Sequence, residues 1–329
     1  MKPKSFIKIS LSALMVILIV RSVDLEQLKT TFRSISPVTA ILVIAGFFLG
    51  QLMSSVKWWC IARSGGLEVP YSIALKAYFI GMFVNCFGLG MVGGDVARGV
   101  LVASGLPKKT EGVASVVVDR IHGLTVLSLM ALFTSFALGN EFVPDHFVEV
   151  LMALCVGFIT IWLAGPMLLT HIPFLRQLPI AQKLDEVAKM FPRNPRTLLT
   201  ITSISVVFHT LQISLHAVMA AGVGAYIPWA TLFVVIPFVN IASSLPISWN
   251  GIGVRENSYI FFLAPTILSK EQALAFGALW LLAVTVASAA GGIVALFTGD
   301  MRLLKVRPKL LSSANDDLVA TKKRVNSLM

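Results

Sequence analysis

The chain has 329 residues, 56% of them hydrophobic and only 13% charged. A soluble globular domain carries about 25% charged residues, so this composition could not coat a water-soluble surface. The mean hydropathy of +0.84, with apolar residues gathered in long runs, defines a polytopic membrane protein and excludes a soluble enzyme, a nucleic-acid binder and a disordered regulator. The net charge of +11 falls between the apolar runs and at the C-terminus, where it reports topology and attraction to anionic headgroups.

At the N-terminus Lys2, Lys4 and Lys8 precede an apolar run from Ser10 to Val20. This resembles a signal peptide without a small-residue cleavage site, which predicts a retained signal anchor over about 5–20. Asp24-Leu25-Glu26 then heads an amphipathic stretch, DLEQLKTTF. Its simpler reading is an interfacial helix. It is also similar to the acidic pair that polyprenyl-donor membrane glycosyltransferases place in an external loop.

Further apolar stretches at about 37–62, 112–138, 148–170, 198–222 and 272–298 each approach or exceed the ~20 helical residues needed to cross a hydrocarbon core. Two broken regions lie between them, Ser72 to Gly105 and Pro228 to Leu268. Each holds an apolar helix, a Gly-containing interruption with charge, and a second apolar piece. The expected fold is therefore an all-α polytopic bundle with about six full spans plus two broken or re-entrant helical pairs. The alternative is eight crossings.

The broken regions match each other. One reads FVNCFGLGMVGGDVAR from Phe83 to Arg98, the other FVNIASSLPISWNGIGVRE from Phe238 to Glu256. The surrounding layout recurs as well, with two spans, a broken pair and one long span, which predicts an internal repeat. Repeat 1 would cover about 5–138 and repeat 2 about 148–298, within a single transmembrane domain 1–300 followed by a basic cytoplasmic tail 301–329. Segment 171–197 and the tail are rich in Lys and Arg, and loops 139–147 and 222–228 have none. Both termini should then be cytoplasmic. Loop 21–36 disagrees, because it should be external yet carries Arg21, Lys29 and Arg33. A broken region adds an even number of crossings, so each repeat has an odd number and the two halves are inverted. Many transporters share this arrangement, with a site near the midplane built by interrupted helices.

Arg98 and Arg255 are the strongest site candidates. A charge at mid-bilayer costs about 2.5–3.5 kcal/mol on insertion scales and persists only with a partner or a wet cavity. Arg98 follows Gly93-Gly94-Asp95, and Arg255 follows Asn250-Gly251-Ile252-Gly253. A helix starting at either glycine turn would aim free N–H groups into a cavity and suit a phosphate or carboxylate. The plainer reading pairs Asp95 with Arg98, and Glu256 or another acid with Arg255, for packing. Asn85 and Asn240 either satisfy backbone freed by the breaks or line the path. Asp119 and Arg120, in VVVDRIHGL with His122 nearby, are a membrane-buried ion pair joining the cavity or an interfacial pair. His209 and His216 share a helical face, where interhelical hydrogen bonding is favoured over proton coupling or metal binding. Lys57 with Trp58 and Trp59 reads as a snorkelling and belt group at a span end. Cys60, Cys86 and Cys155 show neither a disulfide framework nor metal spacing. No catalytic residues, metal or cofactor are expected, and no phosphate-loop motif suggests ATP hydrolysis.

GGDVAR, then VVVDRIHGL, then LPISWNGIGVRE resemble the flippase-like membrane domain of the lysylphosphatidylglycerol synthases and its stand-alone relatives. The VDLEQL segment fits too. The resemblance spans about residues 5 to 300, and its most specific element is Gly-x-Gly-Val-Arg-Glu. It implies a polytopic domain that binds and translocates a lipid, often aminoacylated or glycosylated, between leaflets. The leading expectation is a non-enzymatic transporter of an anionic or glycosylated lipid in a bacterial-type inner membrane. By position the resemblance points to Gly94, Asp95, Arg98, Asp119, Arg120, Gly251, Gly253, Arg255 and Glu256. The synthases continue into a soluble aminoacyl-transfer domain where this chain stops, so the expectation is that it does not make lysyl-lipid by itself. The first break has Gly-Leu-Gly-Met where the resemblance leads one to expect a proline. The readings to be weighed are a lipid transporter with both arginines in one cavity, a glycosyltransferase or lipid-modifying enzyme using Asp24 or Glu26, an accessory scaffold for a lipid-synthesis enzyme, and a small-solute carrier with a closed aqueous site.

Overall fold

The computed structural model describes residues 24–88, 90–138, 145–171, 181–245, 248–264 and 266–298, with isolated positions before Asp24. The expected anchor (apart from those positions) and the tail 301–329 lie outside the described residues. Within them the chain is all-helical. In order the helices are α1 Leu25–Ser34, α2 Pro37–Ser64, α3 Tyr71–Phe87, α4 Gly90–Val102, α5 Lys109–Leu138, α6 Asp145–His171, α7 Ala181–Lys189, α8 Pro195–Gly222, α9 Trp229–Ser244, α10 Val254–Leu263 and α11 Lys270–Phe297.

Helices α2, α5, α8 and α11 are long and apolar enough to cross a bilayer, and α3, α9 and the 148–164 part of α6 are shorter apolar helices. The chain is a multi-pass membrane protein. The long helices start up to three residues earlier than the apolar runs, because their caps are polar. Asn194 accepts from Arg196 N ahead of Pro195, and Ser269 and Gln272 form a capping box. Such caps satisfy otherwise orphaned N–H groups.

Helix α2 lies antiparallel to α8: Gly46 meets Leu215, Gly50 meets Gln212 and Thr39 meets Gly222. Helices α3 and α4 fold back on each other at Gly81 and Gly94, and α11 crosses α3 where a Cβ on Gly291 would collide with the Phe79 carbonyl. Small residues allow these close approaches, which drive helix association where lipid gives no hydrophobic gain. The packing partners correspond between halves, with α3 against α11 and α9 against α5, α2 against α11 and α8 against α5. On the outside Phe133, Leu163, Leu199 and Phe297 are each more than two-thirds exposed, which is the expected pattern for a surface in contact with acyl chains.

Two polar contacts fix the ends of the broken pairs. Lys108 Nζ donates to the Gly66 carbonyl at 2.9 Å, so the segment entering α3 lies beside the one leaving α4. Gln272 Nε2 donates to the Val223 carbonyl at 2.9 Å, and this joins the segment entering α9 to the start of α11. Gly65 packs on Met190, at the same end of the bundle as Lys108. The backbone N–H of Asp24 donates to Glu271 at 3.0 Å, at the same end as Gln272.

Candidate functional site

Asp119 occupies the eleventh position of α5, roughly 15 Å along the helix at 1.5 Å per residue. It is 5% exposed. Two cations reach it: Lys57 Nζ of α2 at 3.0 Å from Oδ1 and Arg98 Nη2 of α4 at 3.1 Å from Oδ2. Arg98 also lies 3.6 Å from Asp95, one turn earlier on α4, and Asp95 is paired on its other oxygen with Arg120. The guanidinium of Arg98 sits over the rings of Trp58 and Tyr78 at 5.0 and 5.2 Å. Both rings are anchored, Trp58 by donating to Ser115 Oγ at 3.0 Å and Tyr78 by donating to Gln51 Oε1 at 3.0 Å. Helices α2, α3, α4 and α5 together hold a five-charge network of three cations and two carboxylates, buried at Lys57, Arg98 and Asp119 and partly open at Asp95 and Arg120.

Lys57 departs from its expected role. It does not snorkel at a span end: it is 4% exposed and lies two turns inside α2, held by a carboxylate on another helix. Trp58 is fully buried rather than at an interface. The pairing across helices α2 and α5 is invisible to a reading of α2 alone. The available signal was the lysine itself, a lone charge inside a long apolar run. The packing reading of Asp95 with Arg98 is correct but incomplete, because Asp119 is the nearer partner. Asp119 is buried and the Arg120 side chain is about a third exposed, and both take part in the network rather than pairing with each other.

The network lines one side of a cavity of about 330 Å³. Its other walls include Asn85 of α3, Asn240 of α9, Gln212 and His209 of α8 and Trp280 of α11. Both halves of the chain therefore contribute, and both asparagines face the same space. The side-chain oxygen of Asn85 and Nε2 of Gln212 are buried without hydrogen-bond partners, so the cavity has unused polar capacity.

The two glycine-rich segments are built differently. Helix α4 begins at Gly90, so Gly93-Gly94 is not its start. Gly94 is the crossing point where a Cβ would strike Asn85 Oδ1 and the Gly81 carbonyl. Asp95 is consequently not an N-cap, and Arg98 stands in the third turn of α4, away from the helix terminus. The second segment does start a helix at its glycine turn, as expected, but away from the cavity. Asn250, Gly251 and Gly253 all have positive φ (52°, 78° and 85°), a conformation natural to glycine and tolerated by asparagine. Helix α10 starts at Val254, which places Arg255 in its first turn, and Glu256 accepts from the Gly253 N–H at 2.7 Å. Arg255 is 8% exposed and is not among the cavity's lining residues. The structure thus brings Asn85, Asp95, Arg98, Asp119, Arg120 and Asn240 together. It sets Asn250, Gly251, Gly253, Arg255 and Glu256 apart from them.

The histidines make the interhelical bonds expected of them. His209 Nε2 lies 3.1 Å from the Gly123 carbonyl of α5. His216 Nε2 lies 2.9 Å from the Tyr259 hydroxyl of α10, with Nδ1 on its own helix at the Gln212 carbonyl. His122 meets Thr202 at 3.2 Å. Asp24 is the N-cap of α1, accepting from the N–H groups of Glu26 and Gln27, and Glu26 is exposed beside Lys29. The cysteines are free, and no group of three His, Cys, Asp or Glu is placed to hold a metal among the described residues.

A multi-pass helical bundle with a charged internal cavity between its halves is the architecture of a membrane transporter rather than of a surface-anchored module. The family described as "Lysylphosphatidylglycerol synthase TM region" matches residues 5–292. The chain belongs to that family, over nearly its full length. Comparison with curated proteins gives no match.

Proposed function

We propose that the protein moves an anionic lipid, glycosylated or not, between the leaflets of a bacterial-type inner membrane, with the headgroup in the cavity and the hydrocarbon chains left in the bilayer. The observation that carries this reading is the charge count of the cavity wall. Lys57, Arg98 and Arg120 face Asp95 and Asp119, so one positive charge is in excess. Buried charges persist when paired, and the anion that completes the set is the phosphate of the substrate. A volume of about 330 Å³ is at the small end of ligand pockets, suited to a headgroup without its chains. Asn85, Asn240 and Gln212 supply hydrogen-bonding groups for the uncharged part.

The same proposal takes the chain as two inverted repeats, each with a re-entrant pair, and with both termini cytoplasmic. Support comes from the Lys108–Gly66 and Gln272–Val223 contacts, which return each broken pair to the end it entered, and from the matched packing partners of the two halves. Helices α3 and α9, at 17 and 16 residues, fall short of the ~20 that a crossing needs. Rocking of one half against the other would then open the cavity to each side in turn. Asp24 is occupied as a helix cap, so the structure offers no support for the glycosyltransferase reading.

The test is mass spectrometry of the lipids retained by gently purified protein, wild type beside Lys57→Met. This variant removes the excess charge and leaves Asp119 with Arg98. Enrichment of one anionic lipid in the wild type, lost in the variant, is the expected result. Identical bulk lipid in both would remove the cavity from the substrate path and favour a scaffold for a lipid-synthesis enzyme.

A further inference from the structure

Arg255 carries no salt bridge among the described residues, unlike Arg98. Its Nε and Nη1 are buried and without hydrogen-bond partners. Its neighbour Glu256 faces elsewhere, with one oxygen on the Gly253 N–H and its Cγ against Gly277 of α11. The guanidinium instead folds back over the α9–α10 turn. A Cβ at Gly251 would lie 3.1 Å from Arg255 Nη2 and 3.1 Å from the Ser243 carbonyl. The hydroxyls of Ser243 and Ser248, on either side of the turn, are also buried and unpartnered.

A guanidinium nine-tenths buried, with two of its three nitrogens lacking partners, carries a desolvation penalty unless something completes it. Three surrounding features suit an oxyanion, set against the Glu256 carboxylate, whose Oε1 is buried without a partner. The N-terminus of α10 brings a positive dipole end, Gly251 leaves the space beside Arg255 Nη2 without a side chain, and two hydroxyls can donate. Glu256 in the same turn opposes a second negative charge, which favours a monoanion over a dianion.

We infer that the α9–α10 turn is a second oxyanion site, separate from the cavity at Arg98, which takes a singly charged phosphate through Arg255, Ser243 and Ser248. The phosphate is either a lipid phosphodiester or free inorganic phosphate. Only the lipid source rests on the transport reading. The anion chemistry stands on Arg255 itself. If the source is the lipid, the protein holds the headgroup at two stations, one between the halves and one in the second half.

The experiment uses the full chain in two arms. In the first, protein released from phosphatidylglycerol nanodiscs is examined by native mass spectrometry, with phosphatidylcholine nanodiscs as the control. In the second, inorganic phosphate is titrated against the thermal midpoint in detergent, with chloride at matched ionic strength. Arg255→Gln should retain one fewer phosphatidylglycerol per chain than wild type, or bind inorganic phosphate about tenfold more weakly, the scale of one charge-assisted contact. Loss in the first arm assigns the site to lipid, and loss in the second alone assigns it to the free anion. Arg255→Lys, which keeps the charge without the fork, should fold and fall between the two, so misfolding of the glutamine variant does not decide the outcome. No Arg255-dependent change in either arm overturns the inference. A Lys57→Met protein that keeps its full lipid complement would sink the cavity reading and leave this site standing.

Discussion

Asp119 stands between two cations on different helices, while each cation has its own alternative. Arg98 can lean on Asp95 and on the rings of Trp58 and Tyr78, and Lys57 on the Asp119 backbone carbonyl at 3.4 Å. The consequences of mutation are therefore unequal. Asp119→Asn leaves two buried positive charges short of a carboxylate and should cost about 3–5 kcal/mol, the range for breaking one member of a buried ion pair. Lys57→Met removes one cation and leaves Asp119 paired with Arg98, so it should lose clearly less. Thermal unfolding in detergent of the two variants side by side checks the order. Equal losses would mean that the Lys57 bond contributes as much as the whole Asp119 hub. The sequence singled out Arg98, Asp119 and Arg120 as candidates, with Asp119 and Arg120 read as a pair, membrane-buried or interfacial. Their observed partners were not legible, because the Lys57–Asp119 and Arg120–Asp95 pairs cross between helices 62 and 25 residues apart in sequence. Only Asp95 and Arg98, three apart on one helix, could be paired by spacing.

At the scale of the helix, the glycines separate into two kinds that look alike in the sequence. Gly251 and Gly253 bend the chain. Gly94 and Gly291 lie inside helices and allow another backbone to come close. A Cβ on Gly94 or Gly291 meets backbone carbonyl oxygen, at Gly81 and Phe79 respectively, which cannot turn aside as a flexible side chain would. Gly94→Ala and Gly291→Ala should each cost about 1–3 kcal/mol, the usual penalty for overpacking. Gly157→Ala on α6, with nothing within 4 Å of the added carbon, should be neutral or gain up to about 1 kcal/mol from helix propensity. Thermal midpoints of the three proteins separate the cases, and a stable Gly291→Ala would show that α11 and α3 can slide apart. Glycine content alone predicted a break at Gly93-Gly94, whereas the turn falls at Gly88, just before α4. A sequence shows that a glycine is present without showing which backbone passes beside it. The long helices were legible because hydropathy is a property of the segment itself. The Phe-Val-Asn match misleads in a similar way. Offset 155 aligns it, while the helix starts at Pro37 and Pro195, or Tyr71 and Trp229, are 158 apart. Asn240 therefore stands nearly a turn earlier in α9 than Asn85 does in α3, though both line the cavity.

Across the whole molecule, the proposed inverted repeat predicts sides of the membrane that can be measured directly. The turns that precede α3 and α9 are built alike. Leu67 N donates to the Ala62 carbonyl and Ala225 N to the Ala220 carbonyl. Gly66 and Gly224 take positive φ, and Pro70 and Pro228 cap the following helices. In a parallel duplication these equivalent turns would emerge on the same side. In an inverted one they emerge on opposite sides, and α2 and α8 run antiparallel, as their contacts show. Glu68 and Tyr226 are exposed in the two turns. With Cys60, Cys86 and Cys155 replaced, single cysteines at these positions should react with a membrane-impermeant maleimide from opposite faces: Glu68→Cys only after the cytoplasmic face is opened, Tyr226→Cys in intact cells. The Lys108 and Lys109 end supports this assignment, since basic loops stay cytoplasmic, while Arg21, Lys29 and Arg33 at the other end run against it. Labelling of both cysteines from one side would rule out inversion, and with it the alternating exposure of the cavity on which the transport reading depends.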